Sequence, residues 1–120
     1  MSETVAVIGA STNPDRYSNQ AIRLLKEKGH TVIPVHPAQE EIEGLPVIAS
    51  VDALKNIDTV TLYVGPKHSA DLLPGLIALK PRRVIFNPGT ESDFLEKGLS
   101  EAGIDFEEAC TLVLLRTGQF

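Results

Sequence analysis

The sequence predicts an α/β protein, a three-layer doubly wound sheet of about five parallel strands. Short runs of β-branched residues alternate with longer helical patterns, which is typical of βαβ units around a parallel sheet. The first of these runs, Val5–Ile8, is apolar throughout, as expected for a strand that is covered on both faces. With 120 residues, the chain is long enough for one such domain, and we expect residues 1–120 to form it.

The first βαβ unit has clear boundaries. After the strand Val5–Ile8, a helix is predicted from an N-cap at Ser18 to Lys28. Gly29 ends this helix because glycine readily takes the left-handed conformation that follows a helix. The β-branched run Thr31–Val35 is the second strand.

The middle of the chain is less regular. The polar segment Ala38–Ser50 predicts a loop that contains a short extended piece at Val47–Ile48. A brief helix over Val51–Lys55 then leads into the third strand, Thr59–Val64.

The second half repeats the alternation of helix and strand. A helix is predicted from about Lys67 to Lys80, with a kink or break at Pro74-Gly75 because proline disrupts a helix interior. The fourth strand is Val84–Phe86, and Thr90–Asp93 opens a helix with a capping-box pattern that stops at Gly103. The last elements are a strand at Ile104–Phe106 and a helical segment at Ala109–Arg116.

Charge and composition exclude several classes of protein. The chain has 11 Lys and Arg against 16 Asp and Glu, a formal net charge of −5, which argues against nucleic-acid binding. Apolar runs are far shorter than the ~20 residues of a membrane span. The N-terminus does not resemble a signal peptide, so we expect a cytoplasmic protein that does not bind membranes. A single cysteine and three scattered histidines predict no disulfide and no metal site.

A ligand site is expected where the strands end, because open parallel sheets bind ligands beyond the carboxyl ends of their strands. The four segments there are Gly9–Tyr17, His36–Gln39, Gly65–His68 and Asn87–Thr90. The first resembles a nucleotide-binding loop, since Gly9 permits a sharp turn and small neighbours allow a phosphate close to the backbone.

The same loop departs from the dinucleotide-binding pattern. Of the three glycines in that pattern only Gly9 is present, while Ser11 and Pro14 take the other two places. The second strand ends in His36-Pro37, without the acid that would bind a ribose 2′-hydroxyl. These features disfavour NAD, and they suit a ligand with a phosphorylated ribose, such as CoA or NADP.

Several segments together resemble a known family. The run Val7–Ser11, then Asn13–Arg16, then Gly29–Pro37 are similar to those of stand-alone CoA-binding domain proteins. These are small Rossmann-like proteins similar to the N-terminal domain of the succinyl-CoA synthetase α subunit. The resemblance continues through Asn87–Gly89 to Glu108–Cys110 and so covers nearly the whole chain.

The resemblance implies a fold, a ligand and a set of ligand-binding residues. The fold would be a three-layer Rossmann-like sheet, and residues 1–120 would be one CoA-binding domain. Five residues would face the CoA phosphates: Gly9, Ala10, Ser11, Arg16 and Ser18. His36 and Pro37 would line the adenosine end. The rest of the ligand would lie along Val64, Gly65 and Pro66, with its pantetheine arm near Asn87, Pro88 and Gly89.

Two departures from that family matter. The synthetase-like pattern has a lysine shortly after the proline that follows the second strand, whereas Pro37 is followed here by Ala38-Gln39. Arg16 or His36 is then the candidate cation for the ribose phosphate. The chain also ends without the second domain that carries a phosphorylated histidine in the synthetase, so a complete ligase is not expected.

A few side chains near the expected site could bind ligand or react. Arg16 could be solvated, but its place beside the loop predicts a phosphate ligand, since guanidinium binds phosphate bidentately. Tyr17 and Tyr63 are interpreted as packing residues, and His36 is equally consistent with packing and with binding. Cys110 is expected near the thiol end of the ligand, where it is either a buried hydrophobe or a thiol able to form a mixed disulfide with CoA.

No nucleophile and base stand at a spacing that predicts catalysis, so the sequence does not indicate an enzyme. The leading interpretation is a CoA or acyl-CoA binding protein whose natural partner is unknown. Two alternatives stay open: an NADP- or nucleotide-binding redox or sensor protein, and a separate-chain subunit of an acyl-CoA ligase.

Overall fold

Five parallel strands form the main sheet, which confirms the predicted fold class. The computed structural model describes residues 2–120. Its strands are β1 (Thr4–Ile8), β2 (Thr31–Val35), β3 (Glu41–Ile42), β4 (Leu45–Pro46), β5 (Thr59–Leu62), β6 (Arg83–Phe86) and β7 (Asp105–Glu108). Its α-helices are α1 (Tyr17–Glu27), α2 (Pro66–Ser69), α3 (Leu73–Leu79), α4 (Asp93–Glu101) and α5 (Thr111–Arg116), and two 3-10 turns lie at Val51–Ala53 and Ala70–Leu72. The strand order is β2-β1-β5-β6-β7.

The helices cover both faces of this sheet and give three layers. Side chains alternate across a strand, so β1 contributes Ala6 and Ile8 to one face and Val5 and Val7 to the other. The first pair packs with α3 and α4 residues such as Leu76 and Leu99, whereas the second packs with residues of α1 and α5. Each large apolar side chain buried in this way contributes roughly 1.5–3 kcal/mol to folding.

Helix α1 begins earlier than the sequence predicts. Arg16, with extended backbone angles, is the N-cap residue, and the helix runs to Glu27 with Lys28 as its C-cap. The expected cap, Ser18, is instead a buried residue of the first turn. The difference arises because the preceding turn over Asn13–Arg16 already closes with a hydrogen bond from the Arg16 N–H to the Asn13 carbonyl.

The predicted loop between β2 and β5 contains a hairpin that the sequence analysis missed. Strands β3 and β4 pair in antiparallel fashion around Glu43 and Gly44, which both have positive φ angles. That pair lacks the Asn-Gly or Asp-Gly signature of such turns. The predicted extended piece is present in part, since Ile48 forms a parallel bridge with Val35 at the edge of the sheet. The predicted helix over Val51–Lys55 is only a 3-10 turn.

The long helix predicted over Lys67–Lys80 is broken, and the break precedes the predicted place. Its three pieces are α2, the 3-10 turn and α3, and Pro74 lies in the first turn of α3. A proline ring clashes with the carbonyl four residues earlier, here that of Ala70, so the interruption falls before the proline.

The remaining boundaries shift by a few residues. Strand β5 ends at Leu62 rather than Val64, and the Leu62 carbonyl accepts a hydrogen bond from Asn87 Nδ2 at 2.8 Å. The capping box predicted at Thr90 does not form, because Ser92 caps α4 and the Thr90 hydroxyl donates to the Asn87 carbonyl. The last strand is Asp105–Glu108 rather than Ile104–Phe106, and α5 starts at Thr111 rather than Ala109.

In the part of the chain that the structure describes, no helix has the length and hydrophobicity needed to cross a membrane. Within residues 2–120, no three His, Cys, Asp or Glu side chains lie together as metal ligands.

Candidate functional site

A cleft of about 530 Å³ lies beyond the carboxyl ends of β1, β2, β5 and β6. It is centred where β1 has neighbours on both sides, β2 and β5, which is the point at which the strand order reverses. Doubly wound sheets bind their ligands at this point. The lining residues are Gly9, Ala10, Ser11, Thr12, Arg16, Tyr17, Ser18, His36, Gln39, Tyr63, Gly65, Pro88, Gly89 and Thr90.

The floor of the cleft is the turn at Gly9. Its φ of +89° is favourable only for glycine, and a Cβ placed there would lie 2.9 Å from the Tyr63 carbonyl oxygen and from Val64 Cγ2. The N–H groups of Gly9 and Ala10 both donate to the Val35 carbonyl, at 3.3 and 3.2 Å. Tight contact between three neighbouring strands therefore fixes where the loop leaves β1.

The loop that follows is held by its own side chains. The Asn13 N–H donates to Ser11 Oγ and the Asp15 N–H donates to Asn13 Oδ1, each at 3.0 Å. Such short-range bonds stabilise turns without a partner from elsewhere in the fold. The Ser11 oxygen serves as an acceptor here, which leaves its own hydroxyl hydrogen free to donate into the cleft.

Helix α1 fixes the other side of this loop. Asn19 is fully buried, and its Nδ2 donates to the Ser11 carbonyl at 2.9 Å and to Glu43 Oε2 at 3.1 Å. Arg23 donates through Nε to Asn19 Oδ1 and through Nη2 to the Pro14 carbonyl, both at 2.8 Å. The loop is consequently tied to the helix at two points, the Ser11 and Pro14 carbonyls.

The N-terminus of α1 opens into the cleft. No side chain caps it, and its first turn carries no acid. The first N–H groups of a helix lack intrahelical partners, and together with the helix dipole they favour an anion. The Arg16 side chain is exposed beside them and makes no hydrogen bond or ion pair within residues 2–120. This end of the cleft is therefore suited to phosphate.

His36 lines the cleft and is held in place through one ring nitrogen. Its Nδ1 accepts hydrogen bonds from the N–H groups of Ala38 and Gln39, at 3.0 and 3.2 Å. In the neutral ring the proton must then sit on Nε2, which is left as a donor. Gln39 lies on the same wall of the cleft.

A smaller cavity of about 350 Å³ continues from the cleft. Tyr17, Tyr63 and Pro88 line both spaces, and the residues that line the smaller cavity but not the main cleft are Asn87, Cys110, Leu112 and Arg116. Tyr17 is 70% exposed at the rim, so the prediction that it is a packing residue is wrong. Burial raises the pKa of Tyr63 to about 12, against the opposing effect of the nearby Thr111 and Thr61 hydroxyls, so its phenol stays neutral.

Asn87 holds the wall between these two spaces in place. Its side chain is buried, and Nδ2 donates to Thr61 Oγ1 at 2.7 Å and to the Leu62 carbonyl at 2.8 Å. Its Oδ1 accepts from the Thr111 N–H at 2.9 Å, and the Thr61 and Thr111 hydroxyls lie 2.8 Å apart. The amide is fully used in joining β5 to the start of α5, so it positions Cys110, the N-cap residue of α5.

The structure brings most of the predicted site residues together. Nine line the main cleft: Gly9, Ala10, Ser11, Arg16, Ser18, His36, Gly65, Pro88 and Gly89. Asn87 and Cys110 line the smaller cavity. Pro37, Val64 and Pro66 line neither.

Several lining residues were not singled out by the sequence analysis as binding residues. They are Thr12, Tyr17, Gln39, Tyr63, Thr90, Leu112 and Arg116. Most lie inside or beside the strand-end loops, so a search of whole loops would have found them. Arg116 carries no such signal, because it reaches the site from the last turn of α5.

Solved structures share this fold over nearly the full chain. One uncharacterized protein is 40% identical, with a TM-score of 0.94, and the match covers 100% of this chain and 99% of that one. An acetyl-coenzyme A synthetase from Ca. Korarchaeum cryptofilum shares the fold at 19% identity, with a TM-score of 0.77. That match covers 89% of this chain and 25% of the synthetase.

Sequence comparison gives a curated relative and a family. The uncharacterized protein YneT of Bacillus subtilis is 33% identical over 75 residues, which are 62% of this chain and about half, 53%, of that protein. The family model described as CoA binding domain matches residues 3–116. The chain therefore belongs to the CoA-binding domain family.

Proposed function

We propose that this protein, with residues 1–120 as one CoA-binding domain, binds CoA or a short acyl-CoA in the cleft at the carboxyl edge of the sheet. The observation that carries the proposal is the charge of the lining. The protein has a net charge of −5, yet no Asp or Glu of the described residues lines the cleft, and its cation is Arg16. An anionic ligand is favoured at such a site.

The phosphates of the ligand are assigned to the loop after β1. The residues there are small, and hydrogen bonds within the loop fix its backbone. The first turn of α1 adds N–H groups that no side chain caps. Arg16 supplies a guanidinium whose planar donors match phosphate oxygens. Ala10, Ser11 and Ser18 complete the wall at this point.

The adenosine end is assigned to the wall after β2. His36 offers its Nε2–H and Gln39 offers an amide, and neither repels a phosphorylated ribose. The chain has no carboxylate on this wall to bind an unmodified ribose, which disfavours NAD. Pro37 follows His36 outside the lining.

The pantetheine arm is assigned to the passage between Tyr63, Pro88 and Gly89, with its sulfur end in the smaller cavity beside Cys110. The Cys110 side chain is half-buried, so it is open to a ligand in that cavity. The main cleft and the smaller cavity have the volume range of small-molecule sites.

Thermal unfolding with different nucleotides tests this function. At a CoA concentration one hundred times its dissociation constant, binding stabilises the folded state by about 2.7 kcal/mol. We expect CoA to raise the melting temperature by several degrees, with smaller shifts for NADP, ATP and NAD at equal concentration. An unchanged melting temperature with CoA, together with a rise with NADP, contradicts the proposal.

Replacement of Arg16 tests the phosphate subsite. Arg16→Ala is expected to weaken CoA binding by about 1.5–3 kcal/mol, the contribution of a hydrogen bond to a charged group. The stability of the ligand-free protein should change by less than about 0.5 kcal/mol, because the side chain is exposed. Isothermal titration measures the loss of CoA affinity, and chemical unfolding of the ligand-free variant measures the change in stability.

Arg82→Ala is the matched control, since Arg82 is exposed and lies at the opposite edge of the sheet. It removes the same charge without touching the cleft. Equal losses of affinity in the two variants would indicate a general charge effect and would remove Arg16 from the site.

A further inference from the structure

The smaller cavity has more apolar lining than the thiol end of CoA alone would need. Its walls are the rings of Tyr17, Tyr63 and Pro88 together with the side chain of Leu112, which is 4% exposed. Apolar walls stabilise a ligand chiefly by removing its hydrocarbon from water. A volume of about 350 Å³ leaves room for a short acyl chain beside the end of a pantetheine arm.

One charged side chain lines this cavity. Among the described residues of the lining, Arg116 alone carries a formal charge, and it lies in the last turn of α5. Within residues 2–120 its guanidinium makes no hydrogen bond and no ion pair, so its donors are available. A favourable interaction with the C-terminal dipole of α5 does not occupy those donors.

The surroundings of Arg116 leave its charge largely uncompensated. A shallow groove on the outer side of Arg116 is also lined by Arg23 and Glu27. Arg23 is already bound to Asn19 and to the Pro14 carbonyl. Glu27, at the end of α1, lines this groove together with Arg116 but does not line the smaller cavity, and within residues 2–120 it forms no ion pair with Arg116. No carboxylate of the described residues therefore competes inside the cavity.

We propose that the smaller cavity binds a short acyl group that ends in a carboxylate, so that the ligand of this protein is a carboxyacyl-CoA. This rests on the proposed function, since the CoA part must occupy the main cleft. The acyl chain packs against the tyrosine rings and Leu112, and its terminal carboxylate accepts hydrogen bonds from Arg116. Carboxylate is the partner that a planar guanidinium fits best among common acyl substituents.

A matched pair of ligands tests the proposal by isothermal titration. Malonyl-CoA and propionyl-CoA both carry three-carbon acyl groups, and they differ in a terminal carboxylate against a methyl group. For a partly exposed ion pair we expect malonyl-CoA to bind about fivefold more tightly than propionyl-CoA. Arg116→Gln should abolish that preference, which is measured as the ratio of the two affinities within the variant. Arg116→Lys should retain part of the preference, because it keeps the charge.

Arg82→Gln serves as the control, since it removes one exposed arginine from the far edge of the sheet. The preference for malonyl-CoA must survive it. The proposal is overturned if propionyl-CoA binds as tightly as malonyl-CoA, or if the preference persists in Arg116→Gln, while CoA still binds. If CoA and both thioesters fail to bind, the proposed function itself fails.

Discussion

Asn87→Leu is expected to destabilise the protein by about 3–5 kcal/mol. Leucine keeps the branched shape of the asparagine side chain but is larger, and it cannot replace the bonds that Asn87 makes to Thr61, to the Leu62 carbonyl and to the Thr111 N–H. All of these groups are buried, and each buried donor or acceptor left without a partner costs about 1–3 kcal/mol. Urea unfolding of parent and variant measures the loss.

Thr111→Val gives the comparison for this effect. It removes the hydroxyl that lies 2.8 Å from Thr61 Oγ1. It keeps the Thr111 backbone N–H, which donates to Asn87 Oδ1. We expect a smaller loss, about 1–3 kcal/mol, because only one buried group, the Thr61 hydroxyl, loses a partner. A larger loss for Thr111→Val than for Asn87→Leu would show that Asn87 does not hold this wall together.

Asn87→Leu should also weaken CoA binding in the protein that still folds. Pro88 follows directly in the chain, and Cys110 precedes the residue whose N–H is released. Both line the smaller cavity, so its walls lose their support. Titration below the unfolding transition separates this loss of affinity from the loss of stability.

Gly9→Ala is the second substitution with a large expected effect, a loss of about 2–4 kcal/mol in unfolding free energy. The φ of +89° is unfavourable for alanine, and the new Cβ would lie 2.9 Å from the Tyr63 carbonyl oxygen. Backbone on both sides must shift to relieve this contact. Because the loop after Gly9 forms the floor of the cleft, CoA affinity should fall as well.

Gly29→Ala is a matched control, because it separates the conformational cost from the contact. Its φ is +86°, almost that of Gly9, but no atom lies within 4 Å of the position a Cβ would take. We expect a loss of about 1–2 kcal/mol from the backbone alone. Chemical unfolding of both variants should therefore give a clearly larger loss for Gly9→Ala, and equal losses would refute the contact argument.

The sheet could be predicted from the sequence because its signals are local and redundant. Runs such as Val5–Ile8 and Thr31–Val35 are continuous, apolar and bounded by turn residues, and all five predicted strands are present. The β3–β4 hairpin could not be predicted, since a turn built on Glu43 and Gly44 has no strong propensity signature. The start of α1 was misplaced because Ser18 has the preferred cap chemistry, while the actual cap is fixed by the turn at Asn13.

The site likewise contains residues that the sequence could predict and residues that it could not. Residues that follow strands were found because parallel strands end at one edge, which places Gly9, His36 and Pro88 near one another. Pro37, Val64 and Pro66 were expected at the ligand by resemblance, but they line neither space. All three lie past the ends of their strands, where no alternation fixes the direction of a side chain. The place of Arg116 at the site could not be predicted, because it depends on how α5 packs beside α1. That tertiary contact has no local pattern in the sequence.

The strand order has a consequence for how the molecule comes together. Each adjacent pair in the main sheet is parallel, so every pairing needs a crossover and none can begin as a hairpin. Folding that depends on such distant pairings is slower than folding through local contacts, because chain closure must precede the gain in contacts. The loop after β1 is synthesised before the other four strands of the sheet, but its cleft also needs Pro88 and Gly89, which follow β6. During synthesis, ligand can therefore assist only the last stage of folding, after the fourth strand of the sheet has joined the other three.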